Sequence, residues 1–319
     1  MAWPLLCSWT TLTGVEQSRY AIKQPKHLSP RIQWLRDYYF QGVQRKWNNE
    51  FTSWTTGTPW DFQFQEISFY IVPETYPFFQ TFRSSFSQPA RKVALAPSFW
   101  AWSLPERRAW FNREVLVHHL PKEILPGDLI AGARFNVMTS TCLTEREARA
   151  YAELVYGEDG TRAAIKWFHD HGYGNTGATS GHLIPDYARA VTHGWQSIHA
   201  DLSERYQSLS DDDKKGHKGA QLRAMLTAST LPRDLAAEYS RVCHELADAE
   251  RDETRKSELR QMADHLARVP WEPAQTFWQA VQSLWLTHML VMADENYPGP
   301  GTSFGRLDQY LFPLWKKSL

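Results

Sequence analysis

The most constraining stretch of the chain is Trp271 to Leu319, WEPAQTFWQAVQSLWLTHMLVMADENYPGPGTSFGRLDQYLFPLWKKSL. Phe277, Val281, Leu284, Trp285, His288, Met289 and Met292 recur at steps of three and four, which predicts a helix opened by Pro273 with a broad buried face. It runs into Asp294, Glu295 and Asn296, and polar side chains at the end of a buried helix predict a pocket wall. A Pro-Gly-Pro-Gly turn over Pro298 to Gly301 stops it. Order resumes through Ser303, Arg306, Asp308 and Tyr310, with a strand expected after Arg306.

A helix this apolar needs a core to enter, and 319 residues at 42% hydrophobic are enough for one large or two ordinary domains. Thirty-five basic and 35 acidic residues cancel, so neither a nucleic acid nor an anionic membrane surface is an expected partner. Small or neutral partners fit better. Cys7, Cys142 and Cys243 form no paired pattern, which points to a reducing compartment, by default the cytoplasm. The start MAWPLLCSWTTLTG lacks a basic segment, so no signal peptide is expected, and no uncharged run has the roughly 18 residues of a spanning helix.

Upstream, residues 1–28 carry little pattern and are expected to form an irregular arm. PRIQWLRDYYFQGVQ, from Pro30 to Gln44, predicts an amphipathic helix through Ile32, Leu35, Tyr38 and Tyr39. Trp47 to Trp102 is aromatic without helical spacing, so short strands and turns around packed rings are expected. A helix is predicted over Pro105 to Leu120, then a turn at Pro126-Gly127-Asp128 and a short strand through Leu129, Ile130 and Ala131. Thr144 with Glu147 gives a helix start. Cys142 lies just before it, a place where a thiol can be activated, but with no His and Asn set in view burial is the stronger reading. Residues 187–268 read as helices, with an exposed charged loop over Asp211 to Gly219. One core stripe runs through Leu235, Tyr239, Val242 and Leu246, with Cys243 as filler, and another through Leu259, Met262 and Leu266.

The second informative stretch is Trp167 to Tyr187, WFHDHGYGNTGATSGHLIPDY. Its four glycines leave little room for regular structure and allow close approach of backbone to a ligand. His169 and His171 alternate as two ligands from a strand would, and His182 or Asp170 could complete a zinc site for a metal-dependent hydrolase. The spacing matches no standard zinc signature. Asp186 is expected to cap a helix beginning near Tyr187.

The order TFWQAVQSLWLTH, DEN, SFGRLDQYLFP and LWKK resembles the pyruvate formate-lyase-like glycyl radical enzymes, in which a TFWEALQALWxxH helix precedes an acidic-Asn turn and S-x-x-R-x-D-Q-Y-L-x-P. GHLIPDY followed by VTHGWQSI is similar to the family's G-H-x-x-x-D-Y segment. The resemblance implies a helix-rich α/β fold, with residues 29–319 forming the N-terminal part of a ten-stranded β/α barrel as an incomplete half-barrel. It also implies thiyl-initiated radical chemistry, a lyase or fumarate-adding synthase acting on a small apolar or aryl substrate. Alkyl- or arylsuccinate synthases and arylacetate decarboxylases are closest in look.

In dehydratase members the histidine of the GH pair faces substrate, so His182 inherits that role. Ser303 is expected to share its cavity, on the order of 10 Å away or less, with Thr302 and Asn296 near the edge. No bound metal or organic cofactor is implied. The family stores a glycyl radical installed by a radical S-adenosylmethionine activase with an iron-sulfur cluster, and members are homodimers when complete. The family's G-C-V-E-like thiyl loop and R-V-x-G-Y-like glycine motif do not occur in these residues. The chain is therefore expected to be a fragment, a truncated product, or a non-catalytic split subunit needing a second chain.

Overall fold

The computed structural model describes residues 28–38, 52–61, 90–132, 137–172, 183–294 and 302–319. Most of the expected arm, the glycine loop from Tyr173 to His182, and the turn from Glu295 to Gly301 lie outside them.

Three short parallel strands, β1 (Thr52–Thr55), β2 (Arg91–Lys92) and β3 (Val137–Met138), form a sheet in the order β2-β1-β3. Trp54 pairs with Arg91 and Thr52 with Val137. Parallel neighbours require long crossovers, and helices supply the rest of the α/β fold. Helix α1 (Pro30–Asp37) is opened by Ser29, whose Oγ accepts from the Ile32 amide at 3.3 Å. It buries no residue fully and is held by Arg31 pairing with Glu258 at 2.6 Å.

Helix α2 (Leu104–Arg113) widens into a π-helical turn over Glu114–His119, within the span expected to be helical. Its Arg107 is buried and donates to the carbonyls of Trp102 (2.7 Å) and Cys142 (2.9 Å). Helix α3 (Glu145–Tyr156) starts at Thr144, whose amide donates to the Glu147 carboxylate at 2.7 Å while its hydroxyl accepts from the Glu147 amide. Each partner satisfies an otherwise free donor, as a capping box should. Helix α4 (Thr161–Asp170) follows.

The expected strand at Leu129 to Ala131 is absent. The segment is bent, and its backbone is satisfied by side chains of helix α10 (Phe277–Asp294). The Ala131 amide donates to Gln282 Oε1 at 2.7 Å and its carbonyl accepts from Gln282 Nε2 at 3.1 Å. Trp278 and Trp285 donate their indole N–H groups to the carbonyls of Leu129 (2.6 Å) and Gly132 (3.0 Å). One helix thus does the hydrogen bonding that a neighbouring strand would.

Helix α5 (Tyr187–Thr192) is capped by Asp186, which accepts from the Arg189 amide at 3.0 Å. After α6 (Gly194–Gln207), the expected charged loop is instead helix α7 (Asp211–Lys215) and the start of α8 (His217–Ala249). Ser210 caps α7, with three aspartates in its first turn and two lysines in its last, matching the helix dipole. Its side chains are solvated, none of them buried.

In α8 the core stripe is Leu235, Tyr239, Cys243 and Ala247, all buried; Leu246, expected inside, is 39% exposed. Steps of four follow the face that α9 (Glu253–Leu266) covers with Leu259, Met262 and Leu266. These join Phe99, Phe111, Leu286 and Met289 in the main core.

Helix α10 begins four residues later than Pro273 suggests. The preceding segment is a turn followed by irregular backbone that serves neighbours: the Ala274 amide donates to the Val191 carbonyl at 2.9 Å, and the Gln196 amide donates to the Trp271 carbonyl at 3.0 Å. The helix is enclosed on several sides, with Gln279, Gln282, Ser283, Thr287 and His288 buried beside Leu286 and Met289. The residues after Arg306 form helix α11 (Leu307–Lys317), not a strand; Leu311 and Leu314 pack it onto α5 and α10.

Candidate functional site

Two arms remote in sequence meet in front of α10. Leu183 and Thr302 form an isolated parallel bridge, and the Ser303 amide donates to the Leu183 carbonyl at 3.0 Å. Ile184 then crosses Gly305, whose φ of +63° and closeness to Ile184 (2.7 Å from a Cβ placed there) require glycine. Of the four expected substrate residues, His182 and Asn296 lie outside the described residues. Thr302 Oγ1 is buried with no hydrogen-bond partner among the described residues. The Ser303 side chain is exposed, and its Oγ accepts from the Gly305 amide at 3.2 Å.

The arms border an open concavity of about 570 Å³ lined by Ile184, Pro185, Asp186, Tyr187, Ala188, Phe304, Arg306, Gln309 and Tyr310. Neither Thr302 nor Ser303 is among its lining residues. Arg306 forks onto Asp308 through Nε (3.0 Å) and Nη2 (2.8 Å), holding that carboxyl below its usual range. Asp186, Arg306 and Gln309 are the exposed polar residues of this lining, against an apolar and aromatic wall.

Behind this wall the Tyr187 hydroxyl and His288 Nδ1 share a buried hydrogen bond of 2.6 Å. The His288 ring lies 4.2 Å from Phe304, centroid to centroid, and 5.9 Å from Trp285. Burial pushes the phenol of Tyr187 up and lowers the imidazole to about 4. Both partners are therefore neutral at neutral pH. Periodicity alone places His288 on an apolar face; the available signal was a helix carrying Gln282, Ser283, Thr287 and His288 where only apolar residues would otherwise be buried.

A second cavity, of about 510 Å³, opens between α2, α8 and α10. Asp294 stands at its edge, accepting from Asn112 Nδ2 (2.7 Å) and Arg108 Nη2 (3.1 Å), above a floor that includes Leu116, Leu231 and Leu290. Of the polar end expected to form a pocket wall, Asp294 lines this cavity, while Glu295 and Asn296 lie outside the described residues.

With this geometry in place, the comparison with known families becomes specific. The family described as pyruvate formate lyase-like matches residues 140–319, which include both arms, α5 and all of α10. The chain belongs to the pyruvate formate lyase-like family. Isethionate sulfite-lyase of Desulfovibrio desulfuricans is 31% identical over 160 residues, 49% of this chain and 17% of the relative. Indoleacetate decarboxylase of Tractidigestivibacter scatoligenes is 40% identical over 84 residues, 26% of this chain and 9% of that protein. In fold, the chain is similar to a structure concerned with 1,2-propanediol dehydration in Roseburia inulinivorans, with a TM-score of 0.54 at 20% identity, covering 69% of this chain and 31% of that one. The chain thus spans less than a third of the length of each of these family members.

The span around His169 and His171 is helical up to Asp170, so the strand alternation that would make them joint ligands is not present. His171 is used locally, its Nδ1 2.7 Å from the Trp167 carbonyl and its ring against Trp167. Among the described residues no group of three His, Cys, Asp or Glu side chains could hold a metal ion. Cys142 is wholly buried with φ +57°, and burial pushes its thiol up to about 12, the opposite of an activated nucleophile. Among the described residues no helix is long and apolar enough to cross a membrane.

Proposed function

We propose that this chain provides part of the scaffold and substrate-side wall of a cytoplasmic glycyl radical lyase or synthase, with His182, Asn296, Thr302 and Ser303 facing a small substrate. The observation that carries this reading is the bridge between Leu183 and Thr302, which joins the two family-matched stretches at the backbone. The Thr302 hydroxyl, buried and without a partner among the described residues, supports a ligand contact, since a buried polar group without a partner is costly. The aromatic wall of Tyr187, Phe304 and Tyr310 favours an apolar or aryl substrate, and the name of the indoleacetate-decarboxylating relative is of that class.

The chemistry begins with a cysteine thiyl taking a hydrogen atom from a substrate carbon, so that an S–H bond forms as a C–H bond breaks. The substrate radical then cleaves or adds. The product radical regains a hydrogen from the thiol. The thiyl cysteine and the radical-bearing glycine come from polypeptide other than these 319 residues, in the same chain or a second one, as part of a homodimer activated by a radical S-adenosylmethionine enzyme.

Anaerobic incubation with such an activase tests the reading by electron paramagnetic resonance. The 319 residues alone should give no organic doublet, and the protein joined to polypeptide bearing both motifs should give one. In that joined protein Thr302→Val should raise KM for substrate by about tenfold with unchanged radical yield, the scale of one lost hydrogen bond. A doublet from the 319 residues alone, or an unaltered KM, would overturn the assignment.

A further inference from the structure

His288 touches both arms of the site from behind. Its Nδ1 is hydrogen-bonded to the Tyr187 hydroxyl, and Tyr187 begins α5 directly after the 183–186 arm. Across its face lies Phe304, two residues after Thr302, at 4.2 Å and an interplanar angle of 34°. Tyr187 and Phe304 also meet each other at 5.9 Å. No other residue of α10 has a ring contact or side-chain hydrogen bond to both arms among the described interactions. We infer that His288 is a positioning residue that sets the pairing of the Leu183 and Thr302 arms. The inference rests on the proposed site for its functional meaning, though not for its structural content.

A phenol buried to 1% exposure needs an acceptor, and the imidazole is the one it has. With Nδ1 as that acceptor the ring is the Nε2–H tautomer, and Phe304 lies tilted against its face at 34°. The backbone of Phe304 is held by the Tyr310 hydroxyl, which donates to the Phe304 carbonyl at 2.9 Å. The arm at 302–304 is therefore seated on one ring whose orientation the other arm dictates. The titratable groups facing this ring are Tyr187 on α5 and, beyond Phe304, Tyr310 on α11; from α10 it meets only the non-titrating indole of Trp285. Among the described residues no charged group contributes to the shift of His288, whose cause is burial alone. Protonating Nδ1 would remove the acceptor and leave the phenol opposite a cation.

The Ser303 amide, bonded to Leu183 O at 3.0 Å, reports the pairing directly. Hydrogen exchange of the 319-residue chain at pH 7 reads it without substrate or activase, so failure of the proposed activity would leave this test intact. His288→Leu is expected to speed exchange at Ser303 by about tenfold, the scale of one lost buried hydrogen bond, while amides near Met262 in α9 keep their protection. His288→Gln, which can still accept from the phenol, should restore most of the protection. Should His288→Leu not fold, Tyr187→Phe removes the same bond with the loss of one oxygen and should speed Ser303 exchange in the same way. Unchanged exchange at Ser303 in whichever variant folds, or an equal loss at Ser303 and Met262, would overturn the inference, as would a glutamine variant that behaves like leucine.

Discussion

The Tyr187 phenol and His288 Nδ1 share a buried 2.6 Å hydrogen bond between residues 101 positions apart. The fold therefore binds His288 in its neutral form, and burial takes its pKa from 6.5 to about 4. An unfolded chain protonates this residue as pH falls through 6.5, whereas the folded chain resists until about 4. The stability it contributes is complete above 6.5 and is lost progressively as pH falls towards 4. Asp128 acts in the opposite sense, because burial raises its pKa from 3.8 to about 6, so its contribution is lost as pH rises from 3.8 through 6. His288→Gln should therefore lose less stability than the parent between pH 7 and 4.5. Urea midpoints at the two pH values measure this, and equal losses in the two proteins would refute it.

Gln282 holds the bent segment at Ala131 by a reciprocal pair of hydrogen bonds, with both residues buried. Gln282→Leu keeps the volume approximately and leaves an amide and a carbonyl without partners. The expected cost is about 2–4 kcal/mol, read from urea unfolding. A cost below about 1 kcal/mol would mean that water or a rearranged backbone satisfies both groups.

Gly194 has φ +73° and would place a Cβ 2.2 Å from the Trp271 carbonyl oxygen, whereas Gly172 at φ +68° faces open space. Gly172→Ala should cost only the left-handed backbone term, about 1–2 kcal/mol. Gly194→Ala must also displace the segment whose Trp271 carbonyl accepts from Gln196, so its melting temperature should fall clearly further. Equal shifts would show that this backbone contact gives way easily.

Burial pushes both the Cys142 and Cys243 thiols up to about 12. Only the thiolate reacts quickly with alkylating agents. At pH 8 iodoacetamide should leave both unmodified in the native chain and modify both in denaturant, as read by mass spectrometry of their peptides. Rapid native labelling of Cys142 would argue against its purely structural role.

What the sequence by itself determined was local. Thr144 with Glu147 and Asp186 before Tyr187 mark helix starts because the capping oxygen and its amide lie within three residues of each other. The stripe at Leu259, Met262 and Leu266 is legible because one helix face is a matter of spacing alone. The polar string after the buried helix, together with the GHLIPDY segment, was enough to identify the family.

Tertiary structure decided whatever depended on a distant partner. Leu129 to Ala131 has the composition of a strand, yet side chains of Gln282, Trp278 and Trp285 complete its hydrogen bonding from a helix about 150 residues away. LDQYLFPLWKK becomes a helix rather than a strand because Leu311 and Leu314 find a surface on α5 and α10. The Tyr187–His288 bond and the Leu183–Thr302 bridge could not be read from spacing, since no periodicity relates residues more than a hundred positions apart. They exist because a buried phenol and a strand edge each need a hydrogen-bond partner, and only the folded chain brings one within reach.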